Sequence, residues 1–201
     1  PRASEMPAIR IADGIVRYRD LRAGTLVQSD QIQLRVSQRS GKGLPLQARG
    51  SFAYGGDIVK VEFGADLPDD RSARGLDHFV VRLEGRHGHA RYDGAVSFAD
   101  GPVLTGPVLT GNVDVATPSV RDAMRWFSKT FRRDGGLAGP VALKGRIASR
   151  GGRNAIEHLD MTLDGMRVGG KITIDHGGAP PRVARDLELA WLYFHRAREK
   201  I

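Results

Sequence analysis

Two histidines set two residues apart, His87 and His89, are the first place to look for chemistry. On a strand they share one face and could approach a single metal ion. No Cys, His or Glu beside them completes a ligand set, and two imidazoles alone hold a metal poorly, so they read as exposed histidines beside a turn. Gly41-Lys42 lacks the upstream glycine that a phosphate-cradling loop requires. Asp160 and Asp164 flank a turn and stabilise it rather than act as an acid and base pair. The chain has no Gly-x-Ser-x-Gly elbow. None of its 201 residues is a Cys, which excludes thiol catalysis, disulfides and Cys-ligated metal. Trp126 and Phe127 carry enough aromatic surface to stack on bases, but at helical spacing they read as core. The strands also lack the aromatic and basic interleaving of an RNA-binding sheet. The expectation is a non-enzymatic protein with no catalytic residue, metal or cofactor, and no nucleic acid partner.

The elements that would position any site are organised around Leu109 to Arg133, an alternating strand that runs into a helix. Leu109, Gly111, Val113 and Val115 fall on one face at period two. Thr117 is placed to cap the helix with Pro118 at its first position, and Asp122 lies near the positive end. Lys129, Arg132 and Arg133 lie near the negative end, before Gly135-Gly136. Val120, Met124, Phe127 and Phe131 recur at helical spacing and, with Trp126, are the residues expected to pack an amphipathic helix over about 118–133 onto a sheet.

Elsewhere the chain alternates. Asp13-Gly14 reads as a two-residue hairpin corner that sets Ile11 against Val16 and Ile9 against Tyr18. Ile32, Leu34 and Val36 follow. Leu46, Ala48, Gly50, Phe52 and Tyr54 turn through Gly55-Gly56-Asp57 into Val59, Val61, Phe63, Ala65 and Leu67. Residues 68–75 read as a polar loop. Phe79, Val81, Leu83 and Gly85 precede Tyr92, Gly94, Val96 and Phe98, with the strand passing straight through Asp93-Gly94. After the helix come Val141, Leu143, Gly145 and Ile147. Next is a hairpin across Asp164-Gly165 that sets Leu159, Met161 and Leu163 against Met166, Val168, Gly170 and Ile172. Val183, Leu187, Leu189 and Trp191 read as a last strand. Residues 190–201 read as a short basic terminal helix or an appended remnant. Glycines inside strand faces at 50, 94, 111, 145 and 170 cost about 0.5–1 kcal/mol each relative to Ala; they read as bends in a curved sheet or as room for a ligand on its concave side. The expected fold is mainly β: a curved, twisted antiparallel sheet of about ten strands, a trough or half-barrel, with one helix.

The formal net charge is +8 and the pI about 10.3. Such a balance attracts anionic partners without choosing among them. The basic residues are spread through the strands, as on a solvated sheet face. No run approaches the 18 apolar residues of a membrane-spanning helix, and no charged, apolar and small-residue succession suggests a signal peptide. The chain starts at Pro1, so it reads as one piece of a larger protein whose anchor lies elsewhere.

Several motifs carry a family likeness: Gly50-Ser51-Phe52-Ala53-Tyr54-Gly55-Gly56, then Pro118-Ser119-Val120-Arg121 with Trp126-Phe127, then Leu163-Asp164-Gly165 and Gly169-Gly170-Lys171-Ile172. In order and spacing, over roughly residues 8 to 189, they resemble the C-terminal region of AsmA family proteins of Gram-negative bacteria. Ser128, where a glycine is expected, and the end from Trp191 onward depart from the pattern. The resemblance implies the periplasmic portion of an inner-membrane-anchored protein whose β-sheet trough serves outer-membrane biogenesis and phospholipid transfer between the two membranes. Its partners would be phospholipid or another envelope lipid, the membrane itself, and envelope proteins. Phe52, Tyr54, Val61, Phe63, Phe79, Val81, Leu83, Val113, Ile147 and Ile172 are the candidates for an apolar lane. A tail in water loses about 0.8 kcal/mol per CH₂, so a sixteen-carbon chain faces roughly 12 kcal/mol that such a lane restores. An assembly module for envelope proteins without lipid binding, and a basic nucleic-acid-binding β domain, are the competing readings.

Overall fold

The computed structural model describes residues 8–20, 25–38, 45–66, 75–98, 107–127, 139–150, 153–175 and 182–190. The strands are β1 (Ile9–Asp20), β2 (Thr25–Gln38), β3 (Leu46–Tyr54), β4 (Asp57–Ala65), β5 (Gly75–Gly85), β6 (Gly88–Phe98), β7 (Pro107–Thr117), β8 (Val141–Arg150), β9 (Arg153–Leu163), β10 (Met166–Asp175) and β11 (Arg182–Ala190). A helix, α1 (Val120–Phe127), follows β7. All eleven strands form one curved, unclosed sheet in sequence order, and every neighbouring pair is antiparallel.

Paired residues on neighbouring strands point to the same side, so the register sorts the sheet into two faces. Ile9, Val36, Ala48, Phe63, Val81, Tyr92, Val113 and Gly145 lie side by side from β1 to β8. One residue along, on the opposite side, runs Arg10, Arg35, Arg49, Glu62, Arg82, Arg91, Asp114, Lys144, Asp160, Gly169 and Glu188, crossing all eleven strands. One wall of the sheet is therefore apolar and the other charged. The buried apolar residues among those described, Ala48, Val59, Ala65, Leu159 and Val168, all belong to the apolar wall.

The charged wall is tied by exposed pairs. Arg167 holds Asp160 through two hydrogen bonds of 3.0 and 2.8 Å, and Lys171 holds Glu157 at 2.7 Å. These hydrogen bonds keep both carboxyls below the usual range. Burial opposes ionisation of Asp93, but hydrogen bonds and charge from Arg91 and His78 outweigh it, and its carboxyl is also depressed. Being solvated, each such pair contributes little to stability.

Curvature has local causes. Asp13, Gln31 and His158 have φ of 54°, 52° and 51°, and the ladders shift register beside each of them. Glycines 50, 94, 111, 145 and 170 fall at or next to the middle of their strands. A Cβ on Gly94 would lie 2.5 Å from the Cα of Gly111, and one on Gly111 2.7 Å from the Cα of Gly94, where two strand backbones press together. Gly94 also lies under the Tyr92 ring, whose hydroxyl donates to the Ala95 carbonyl at 2.7 Å. The interior glycines thus serve bending and close approach rather than open space for a ligand. They and the bulges bend their strands one by one, at different levels of the sheet.

Two expectations about turns hold. The chain passes through Asp93-Gly94 inside β6, and Asp164 and Gly165, with φ of 48° and 81°, form the two-residue turn that sets Leu163 against Met166. Asp13-Gly14 is a correction: β1 continues through it, Ile11 pairs with Leu34 and Val16 with Ser29, and positive φ at Asp13 makes a bulge. The Asp13 carboxylate accepts a 2.7 Å hydrogen bond from Gln33 of β2, which ties the bulge to its neighbour. The helix cap is a second correction. Ser119 accepts the Asp122 N–H at 3.2 Å, while Thr117 accepts the N–H of Ser119, so Pro118 precedes the helix. Phe131, the expected helix beyond Phe127, the side chain of Phe127, residues 68–74 of the expected 68–75 loop and residues 191–201 lie outside the described residues, and Gly75 opens β5 instead of closing that loop.

Candidate lipid-contact face and its roofed end

All ten lane candidates fall on the apolar wall. Phe52 faces Val59. Gly50, Val61 and Leu83 are side by side, as are Phe63 and Val81. Ile147 pairs with Ile156, which pairs with Ile172. Each of the ten is half-buried, neither sealed in a core nor open to water. Phe63, Phe79 and Tyr92 are in contact across three strands, with ring centroids 6.1 and 4.9 Å apart. Burial among these neighbours raises the Tyr92 phenol above its ordinary value. Among the described residues, α1 is the only element besides the strands themselves, and none of them forms a second layer over the rest of this wall. Two-layer packing ordinarily covers a sheet face.

Helix α1 roofs one part of the wall. Leaving β7, it reaches back to the rim made by the tight turns β3–β4 and β5–β6, and Trp126 is its anchor. The indole N–H donates to the Tyr54 carbonyl at 2.9 Å. Its ring stands edge-on to Tyr54, centroids 5.0 Å apart at 84°, and lies 5.4 Å from the His87 ring at 30°. Gly55 permits the approach, because a Cβ there would come within 2.9 Å of the indole. His87 is a correction to the sequence reading. It sits in the β5–β6 turn, part-buried, with Nε2 2.9 Å from Asp57 Oδ2. His89 is on the charged wall, 3.9 Å from Asp114. The two imidazoles have different partners, and among the described residues no group of three His, Cys, Asp or Glu is placed to hold a metal.

Beneath α1 lies a cavity of about 520 Å³, lined by Phe52, Tyr54, Val59, Leu83, Val115 and Met124 among others, within the ~300–1,000 Å³ of ordinary small-molecule clefts. Met124, expected to pack onto the sheet, lines this cavity and is 41 % exposed. Val120 is half-buried. A second cavity of about 580 Å³ shares Asp57, Arg86, His87, Thr117 and Trp126 with the first and adds Ser119, Asp122 and Arg125. The sequence pointed to the apolar lane through its period of two. It gave no sign of the joint between Trp126, Tyr54, His87 and Asp57, whose members are up to 72 positions apart; the glycine at 55 beside an aromatic was its only trace. No family model matches this chain, and neither does a curated protein or a solved structure.

Proposed function

We propose that this chain is a non-enzymatic segment of a lipid conduit, in which acyl tails lie along the apolar wall while the charged wall stays in water. The reading adopts what the AsmA resemblance implies: phospholipid transfer between inner and outer membranes, by the periplasmic part of an inner-membrane-anchored protein. The observation that carries it is the apolar wall, continuous from β1 to β8, half-buried and under no second layer among the described residues, and backed on its other side by charge. A tail on such a wall keeps most of the roughly 12 kcal/mol it would forfeit in water. It can move by sliding, because one half-buried aliphatic contact resembles the next and no step is deep. The lane residues act by surface and spacing, without bond chemistry.

Site-specific photo-crosslinking tests this directly. With a photoreactive residue at positions 79 to 84 in turn and phospholipid vesicles as donor, adducts are expected at 79, 81 and 83 and not at 80, 82 and 84. Native mass spectrometry of the purified chain should recover bound phospholipid. Equal labelling at odd and even positions, or no lipid adduct from a chain with a native circular dichroism spectrum, sinks the conduit and leaves an assembly module as the better account.

A further inference from the structure

The two cavities at α1 differ in chemistry and meet at one wall. The first is apolar and opens from the sheet face. The second is lined by Arg86 and Arg125, by Asp57 and Asp122, and by the hydroxyl-bearing Thr117 and Ser119. Two guanidinium and two carboxylate side chains balance there, and His87 also lines it with its Nε2 2.9 Å from Asp57 Oδ2, which leaves Oδ1 to face a ligand. Arg86 and Asp57 are near one another at 3.9 Å, with the Arg86 side chain 80 % exposed and able to swing toward a ligand. Trp126 belongs to both linings, held by its bond to the Tyr54 carbonyl.

An apolar chamber joined to a charge-balanced polar one has the form of an amphiphile's binding site. We infer that the α1 end of the trough is a head-group site for a zwitterionic phospholipid bearing a primary amine, a phosphoethanolamine head. The inference rests on the lipid reading above and adds the head group to it. The phosphate is met by Arg86 and Arg125, whose guanidinium N–H groups suit its oxygens. The ammonium is met by the carboxylates of Asp57 and Asp122, with the indole of Trp126 beside it to attract a cation. A purely anionic head would bring its charge against those two carboxylates. A quaternary ammonium has no N–H to give them. The tail then extends under Met124 and over Val59 and Leu83 into the lane.

Trp126 fluorescence in a Trp191→Phe background, where it is the sole indole of the two in the chain, reads the site. The ligands are short-chain phosphatidylethanolamine, phosphatidylcholine and phosphatidylglycerol with identical tails, a plain alkanol, and free phosphoethanolamine. About 0.3 M salt screens the net charge of +8. Phosphatidylethanolamine is expected to bind at least about tenfold more tightly than the other two lipids, the scale of one charge-assisted hydrogen bond. That ratio should fall toward unity in Arg86→Gln and in Asp57→Asn, with Arg86→Gln as the variant that leaves the β3–β4 hairpin untouched. Equal binding of the three lipids, with the alkanol also bound, overturns the head-group site and leaves the conduit standing. Failure of every lipid and of the alkanol overturns both. Free phosphoethanolamine binding as tightly as the lipid makes this a small-molecule site and overturns the inference as well.

Discussion

At the scale of single residues, Trp126 does more than fill space. Its N–H satisfies the Tyr54 carbonyl, its edge and face meet Tyr54 and His87, and it closes two cavities. Trp126→Ala should cost about 2–3 kcal/mol in urea unfolding, below the full range for a sealed core because the residue is only half-buried. Trp126→Phe should cost about 1 kcal/mol, the share of the lost hydrogen bond. Gly55 and Gly56 make a matched pair for checking the contact. Both have positive φ, 59° and 90°, so Ala at either position costs about 1–2 kcal/mol in backbone conformation. Only the Gly55 Cβ meets the indole. Gly55→Ala should therefore be the worse of the two in the native background, and the two should become equal when Trp126 is Ala. Little of this joint was legible beforehand, because nothing local in Gly55, Asp57 or His87 encodes a partner on a helix so far along the chain.

At the scale of elements, the strands were legible and their turns only partly so. One wall is apolar, so a one-residue slip would turn every aliphatic outward, and this penalty leaves a period of two in the sequence. Asp-Gly dipeptides are ambiguous for a physical reason. Both residues tolerate positive φ, and a hairpin corner at Asp164-Gly165 and a bulge at Asp13 make use of that tolerance; Asp93-Gly94 runs through a strand with no positive φ, and there the missing Cβ of Gly94 admits the Gly111 backbone instead. The helix start was misplaced by two residues because Thr117 and Ser119 are both cap-forming types, and only the hydrogen bonds distinguish them. Ser119→Ala should cost about 1 kcal/mol by equilibrium unfolding and Thr117→Ala less. Gly111→Ala should cost about 1–3 kcal/mol, since its Cβ would enter the Gly94 backbone across the ladder.

The charged wall belongs to this scale too. Hydrogen bonds from Lys171 and Arg167 lower the pKa of Glu157 and Asp160, and that of Asp93 is lowered against the effect of its burial. Carboxyls depressed in the folded state add stability above their unfolded values, ~3.9 for Asp and ~4.3 for Glu. That stability is lost as pH falls through the folded values. Melting temperature should change little through these groups from neutral pH to about 5 and fall below about 4. Lys171→Gln should flatten the fall, as read from melts across the pH series.

At the scale of the whole molecule, each described strand pairs with the strands before and after it in the chain, and α1 adds a tie from β7 back to the β3–β4 and β5–β6 turns. A chain built this way comes apart in a definite order. The span from β3 to β7, fastened twice, should open as one cooperative block, with β8 tied to it at the start of α1 through the Val120 N–H and the Gly139 carbonyl, while β9 to β11, among the described residues, are held by nearest-neighbour pairing and can unzip from β11. Amide hydrogen exchange should therefore be slowest in β3–β7 and grade toward β11, and Trp126→Ala should remove the step between the two regions. The clasp that roofs the trough would then also divide the molecule into a stiff part and a yielding one.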